Sequence, residues 1–274
     1  MTLQRYLQTL VRVLEYAHDH LRKEHTAMNG TYRRFAYDGT YEGFLCVAVK
    51  CINLRVIPER INVSDGMNCQ PEQYFVRTDY GIAARMHRFI QDRACIQVSQ
   101  MVVDGFLTAM PEREIALIRF IAKAIRFGAC VADDYDDQSI YRIHMAILDL
   151  YREEQSYFVQ LEPVPCRDIM ASVINPKNII LPVMKTDILR KTDYGNLMIY
   201  DRRHHMVLYR NDESNDIVDV RYMQMHSQSE PDIIYDDIWQ YLRSGVHMSG
   251  RRNGNPTGYG RDCSGLERMW YIAV

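Results

Sequence analysis

Residues 36–45 constrain the fold of this chain more than any other segment, because a strand end, a tight turn and a helix start follow one another within ten positions. Residues 34–37 favour a short strand, and Asp38-Gly39 is a turn signal in which glycine tolerates a positive φ angle. Thr40 is a preferred residue for capping the start of a helix. The segment therefore predicts a strand that passes directly into a core helix. The positions that this helix is expected to bury are Phe44, Leu45, Val47, Ala48, Cys51, Ile52 and Leu54.

Helical periodicity dominates the first part of the chain and strand-like runs dominate the second. Helices are predicted from about residue 79 to 93, 111 to 128 and 138 to 152, followed by strands at 157–162 and 169–174 and a helix through 175–189. Residues 197–200 and 206–209 predict a hairpin around the turn 201–205. This order is typical of an α+β fold in which helices cover a central antiparallel sheet. The expected layout is an N-terminal amphipathic helix (1–30), an α+β domain (31–250) and a basic, glycine-rich C-terminal segment (251–274).

The N-terminal segment carries apolar residues at alternating spacings of four and three, which places them on one helix face. They are Leu3, Leu7, Leu10, Leu14, Ala17 and Leu21. One interpretation is a helix that packs on its own domain, because about three heptads are short for a coiled coil. The other is a homodimer formed through the leucines of this stripe.

Charge and cysteine content limit the classes of function. The net charge is −2 and the isoelectric point is about 6.5, so any contact with nucleic acid requires a local basic patch. The seven cysteines are odd in number and include no C-x-x-C pair, which favours reduced thiols in a cytoplasmic protein. No signal-peptide pattern and no apolar run of membrane-spanning length occurs in the sequence.

Two basic clusters are candidate nucleic-acid contacts. At the predicted hairpin tip, Arg202, Arg203, His204 and His205 present cationic groups, and Asp201 is expected to orient one arginine through a bidentate pair. The second cluster combines Arg251, Arg252 and Arg261 with Asn253 and Tyr259 among glycines that let backbone N–H groups approach a phosphate. The alternatives are a solvated turn for the first cluster and a flexible tail for the second.

Other patterns give weaker indications of chemistry. The acidic residues 133–137 suit Mg²⁺, but a solvated loop with helix-capping aspartates explains them equally well, and no metal site is predicted. His144, on an amphipathic helix, is expected to be a hydrogen-bonded packing residue and not a catalytic base. Cys263 has no identified histidine partner, and the chain contains no zinc-protease, P-loop or dinucleotide-binding pattern, so no cofactor is predicted. Asp38 and Asp201 are the carboxylates that we expect near a cleft.

The chain resembles an uncharacterised bacterial family of proteins assigned to DNA repair or DNA metabolism. The resemblance is carried by residues 37–45 (YDGTYEGFL), 174–182 (INPKNIILP), 198–203 (MIYDRR) and 251–253 (RRN), within a span of about 34–274. It implies a radical-SAM protein of DNA modification or repair as partner, and some family members are fused to a uracil-DNA-glycosylase-like domain. The chain departs from the family in its N-terminal segment, in the acidic Glu153-Glu154 and in a tail shortened before Pro256.

These observations lead to one main hypothesis, an accessory protein of DNA metabolism that binds DNA through the two basic clusters and acts with a partner enzyme. A protein-interaction or oligomerisation module without DNA contact is the first alternative. The second alternative is an uncharacterised DNA-processing enzyme whose catalytic residues come together only in the folded chain.

Overall fold

The computed structural model describes residues 33–64, 66, 72–157, 159–164, 168–191, 195–211, 215–220 and 238. The helices of this part of the chain are α1 (Tyr41–Leu54), α2 (Tyr80–Arg93), α3 (Ile96–Leu107), α4 (Arg113–Phe127), α5 (Gln138–Ser156) and α6 (Leu181–Lys191), with a short 3-10 helix at Ala129–Asp133. The strands are β1 (Arg34–Tyr37), β2 (Arg60–Val63), β3 (Tyr74–Phe75), β4 (Glu162–Pro163), β5 (Met170–Ile174), β6 (Leu197–Asp201), β7 (Met206–Arg210) and β8 (Asn215–Asp219). The predicted α+β class is confirmed.

The chain divides into two compact units. Of the described residues, the first unit holds those from 33 to 106 and from 110 to 147, and the second holds 107–109 and those from 148 onward. The N-terminal stripe and the predicted boundaries at residues 30 and 250 lie outside the described residues, so these stay predictions. No helix in the described part of the chain is both long enough and apolar enough to cross a bilayer.

The first unit contains a three-stranded sheet in the order β2-β1-β3, in which β1 runs parallel to both neighbours. Parallel neighbours require a crossover, and α1 supplies it between β1 and β2. Phe35, Ala36 and Tyr37 of the central strand are fully buried. The carboxyl ends of the strands therefore meet at one edge, where Asp38 follows β1.

The start of α1 confirms the prediction made from residues 36–45. Thr40 adopts an extended conformation, and its side chain accepts a hydrogen bond from the Gly43 N–H. Gly39 has a φ of 82°, the conformation that glycine tolerates best. Of the predicted core positions, Ile52 and Leu54 are only half-buried, because they belong to the last turn of the helix.

The second unit contains a five-stranded sheet in the order β4-β5-β6-β7-β8. Its pairs are antiparallel except for β5 and β6, which run parallel and are joined through α6. The hairpin predicted from 197 to 209 is confirmed as β6 and β7, with Leu197 opposite Arg210 and Asp201 opposite Met206. Its apolar face belongs to a buried cluster that includes Tyr200 and Val218.

Two predictions about elements were wrong, and one helix was not predicted. Helix α5 continues to Ser156, so the strand predicted at 157–162 is reduced to β4 at its far end. The helix predicted from residue 175 begins only at Leu181, because 175–180 form a hydrogen-bonded loop. Helix α3 was not predicted; residues 101–107 are all buried, so this part of the helix lacks the exposed face that marks a surface helix.

Candidate functional site

Asp38 lies buried at the carboxyl edge of the first sheet and is held by its neighbours in the fold. Its Oδ1 accepts hydrogen bonds from the Thr40 N–H (3.0 Å) and the Thr40 hydroxyl (2.6 Å), and its Oδ2 accepts one from the Thr78 hydroxyl (2.7 Å). These bonds tie the start of α1 to the segment that follows β3. The carboxylate that the sequence suggested as a cleft residue thus joins two chain segments.

Gly43 is needed because the Asp38 carboxylate occupies the space beside it. A Cβ atom at position 43 would lie 2.3 Å from Asp38 Oδ1 and 2.8 Å from Thr78 Oγ1, well inside van der Waals contact. The glycine in this motif is therefore explained by packing against a buried polar group.

Glu42 is a buried carboxyl group in the same turn, with 4% of its surface exposed. Its Oε1 has no hydrogen-bond partner among the described residues. Burial raises the pKa of Glu42 above its usual value, and the nearby Asp38 carboxylate raises it further, while the Glu42 backbone N–H lowers it in part. The charged form of Glu42 is thus disfavoured in the folded protein.

We predict that Glu42→Gln stabilises the fold at neutral pH. The folded state binds the Glu42 proton more tightly than the unfolded state, so this group's contribution to stability falls as pH rises from about 4.5 through the folded pKa. Glutamine does not ionise, so the variant does not lose stability in this way as pH rises. Urea unfolding between pH 4.5 and 8 should therefore show a gap between variant and wild type that widens with pH. A variant less stable than wild type at pH 8 would contradict the assignment.

His87 is a buried polar residue of the first unit that the sequence interpretation passed over. Its Nδ1 lies 3.3 Å from the Tyr41 hydroxyl and its Nε2 lies 3.0 Å from Gln91 Nε2. Burial lowers the pKa of His87, which favours the neutral ring. Its position between Ala83 and Ile90, on the inward face of α2, was the available signal. Both ring nitrogens are occupied within the core, so the residue is structural.

The second unit brings two of the recognised motifs together. Strands β5 and β6 are parallel and end side by side at Ile174 and Asp201, and the Arg202 N–H donates to the Ile174 carbonyl (3.0 Å). The residues that follow each strand therefore share one edge of the sheet. We call Lys177, Arg202, Arg203 and His205 the basic edge; all four are exposed.

Asp201 is completely buried and organises the hairpin tip. Its Oδ1 accepts hydrogen bonds from the backbone N–H groups of Arg203 (2.9 Å) and His204 (3.1 Å), and its Oδ2 lies 2.6 Å from His204 Nδ1. The predicted bidentate pair with an arginine was therefore wrong, because both oxygens serve the turn and the histidine ring. Arg202 and Arg203 point their charges to solvent instead.

His205 closes the tip in a left-handed conformation with a φ of 53°. Its carbonyl accepts a hydrogen bond from the Val220 N–H (2.7 Å), and its Nδ1 lies 3.4 Å from the Tyr200 hydroxyl. A non-glycine residue in this region is uncommon and is held by its surroundings. The tip is thus fixed at both ends.

The loop after β5 is fixed by an acidic residue of α5. Glu153 accepts hydrogen bonds from the Lys177 N–H (2.6 Å), the Asn178 N–H (2.8 Å) and Asn178 Nδ2 (2.7 Å). The Tyr157 hydroxyl accepts one from the Asn175 N–H (2.8 Å). Lys177 is held with its side chain exposed, yet it was not predicted as a site residue. Lys177 comes three residues after the end of β5, so only the parallel pairing of β5 and β6 assigns it to the same edge of the sheet as the tip.

The acidic residues 133–137 are of a type that suits Mg²⁺, but no metal site was predicted there. In the described parts of the chain, no group of three or more histidine, cysteine, aspartate or glutamate side chains is close enough to bind a metal ion. Asp137 accepts from the Ser139 N–H (2.9 Å) and pairs with Lys123. His144 Nε2 lies 2.7 Å from the Ala132 carbonyl, which confirms the packing role predicted for it.

The four described cysteines are free thiols, as the sequence predicted. Burial raises the pKa of Cys46 to about 11 and that of Cys51 to about 12. Neither forms the thiolate that a nucleophile needs near neutral pH.

The second predicted basic cluster, at Arg251, Arg252, Asn253, Tyr259 and Arg261, lies outside the described residues. Asp38 belongs to the first unit and Asp201 to the second. The basic edge is therefore the candidate site that the structure describes.

A family model described as a domain of unknown function (DUF4130) matches residues 111–256, which is more than half of the chain. The matched span includes the basic edge and Arg251, Arg252 and Asn253. No curated protein and no solved structure matches the chain.

Proposed function

The chain belongs to the DUF4130 family of domains of unknown function, and from this premise we propose that it binds nucleic acid through the basic edge as an accessory protein of DNA metabolism. The observation that carries the proposal is that two parallel strands end side by side, with Lys177 in the loop after β5 and Arg202 and Arg203 in the turn after β6. The resemblance found in the sequence adds DNA repair as the context and a radical-SAM enzyme as the partner.

The arrangement of charges at this edge supports binding to an anion. The carboxylates of Asp201 and Glu153 are directed at backbone N–H groups, whereas the cationic side chains face solvent. Exposed arginine and lysine groups bind phosphate oxygens through charge-assisted hydrogen bonds. Asp219 is half-buried opposite Met206 and reduces the positive potential locally, so modest affinity is expected.

The rigid backbone of the tip supports the same proposal. Asp201 and the His205 carbonyl hold the turn before any ligand arrives. Less conformational entropy is lost on binding when the contacting segment is already ordered. The edge offers contacts to phosphate and shows no geometry for reading a base, so binding that depends little on sequence is proposed.

We predict that the double variant Arg202→Ala/Arg203→Ala weakens binding of a fluorescent oligonucleotide by about tenfold or more, because each charge-assisted hydrogen bond to phosphate contributes on the order of 1 kcal/mol or more. Fluorescence anisotropy at low salt with single- and double-stranded DNA measures this. Replacing the exposed Arg88 and Arg119 of the first unit with alanine removes the same charge and serves as the control.

The control variant should retain wild-type affinity within about twofold, because Arg88 and Arg119 do not belong to the basic edge. Equal losses in both double variants would mean that net charge alone governs binding. That result, or an absence of DNA binding by the wild type, would reject the proposed site and favour an interaction module without DNA contact.

A further inference from the structure

An apolar groove lies in the first unit, where the end of α1 and the residues after it meet α4. Its volume is about 290 Å³, close to the lower limit of typical ligand pockets. Its apolar lining consists of Ile52, Val56, Ile57, Ile118, Ala122 and Ile125. Ile57 is 47% exposed, and Ala122 also faces solvent. Such a lining is complementary to the apolar side chains of an amphipathic helix.

We propose that this groove binds the N-terminal segment of the same chain, through the stripe formed by Leu3, Leu7, Leu10, Leu14, Ala17 and Leu21. Helices that bind in grooves use apolar anchors at i, i+3 or i+4 and i+7, and the spacing of the stripe supplies such sets repeatedly. Among the residues that line the groove, only Arg55 is charged, and the others are apolar residues and Cys51. This lining suits leucine side chains.

The position at which the described chain begins favours this occupant. The Arg33 carbonyl accepts a hydrogen bond from the Glu59 N–H (2.7 Å), and Glu59 is two residues beyond Ile57 of the groove. Residues 22–32 connect the stripe to Arg33 and span up to about 36 Å when extended. The stripe therefore reaches the groove of its own unit.

The length of the stripe favours docking within the same chain over docking on a second copy. The stripe covers about three heptads, which is at the lower limit for a coiled coil that is stable by itself. A short tether also gives a local concentration in the millimolar range, which an encounter between separate molecules lacks. Intramolecular docking is thus the arrangement that the groove and the stripe together support.

Limited trypsin digestion of the full chain tests this docking, because Arg12 and Arg22 lie within and beside the stripe. Ala122→Glu places a charge in the groove and should increase cleavage at these sites by about tenfold, since cleavage follows the undocked population. Ala84→Glu is the matched control, because Ala84 is an exposed helix alanine outside the groove. It should leave the rate at the wild-type value.

A second variant, Leu14→Asp, removes an anchor without touching the folded unit and should cause the same increase. Combining it with Ala122→Glu should add nothing further, because both changes break one contact. Wild-type cleavage as fast as that of Ala122→Glu, or an equal effect of Ala84→Glu, would overturn the proposal. Protection that grows with protein concentration alongside a dimeric mass would assign the groove to a second copy and would also overturn it.

Discussion

Replacing Gly43 with alanine should lower the free energy of unfolding by about 3 kcal/mol or more. The new methyl group would lie 2.3 Å from Asp38 Oδ1, so the carboxylate would have to leave its position. Its hydrogen bonds from Thr40 and Thr78 would be lost or lengthened while the groups stay buried. Chemical denaturation followed by circular dichroism measures the change.

Gly81→Ala is the matched control, because Gly81 also occupies the first turn of a helix, here one capped by Asp79. Its Cβ would approach Asp79 Oδ1 only to 3.1 Å, so a change within about 1 kcal/mol is expected. Adding Asp38→Ala to Gly43→Ala should give a smaller loss than the sum of the two single losses, because the clash disappears with the carboxylate. Strict additivity would contradict this account of the motif.

Replacing Asp201 with alanine should destabilise the second unit by about 3 kcal/mol. The change leaves two backbone N–H groups and the His204 ring without their acceptor, in a position that is 0% exposed. Because the carboxylate also orders the tip, DNA binding should weaken in the fraction that remains folded. Thermal unfolding and anisotropy on the same samples separate the two effects.

Asp201→Asn retains one oxygen that can accept from the backbone N–H groups and should be destabilised less than Asp201→Ala. The exposed Asp168, which precedes β5, provides the control, and Asp168→Ala should change stability by less than about 0.5 kcal/mol. Equal stability of Asp201→Ala and Asp168→Ala would show that the buried carboxylate does not organise the tip.

Local signals in the sequence predicted those parts of the fold that depend on local chemistry. Thr40 as a cap, Gly39 in the turn and the hairpin around 201–205 were predicted because capping, turn conformation and alternation act over a few residues. The parallel pairing of β1 with β2 and of β5 with β6 was not predicted. Such pairing depends on contacts distant in sequence, for which spacing carries no signal.

In the candidate site, too, local features were predicted and contacts distant in sequence were not. The sequence identified Arg202 and Arg203 from their charge and their position in a turn. It also predicted, wrongly, that Asp201 forms a bidentate pair with an arginine. Burial at the end of β6 directs that carboxylate inward, toward the turn and His204. Lys177 joins the site only through the register of β5 and β6, and the acidic Glu153 supports the loop that carries it.

The salt dependence of DNA binding tests the central claim most directly. Each phosphate contact contributes about 0.9 to the slope of log K against log salt for duplex DNA, so losing two contacts should reduce the slope by about 1.8. We expect this reduction in Arg202→Ala/Arg203→Ala and an unchanged slope in Arg88→Ala/Arg119→Ala. An unchanged slope in the tip variant, or the same reduction in both, would contradict nucleic-acid binding through the basic edge.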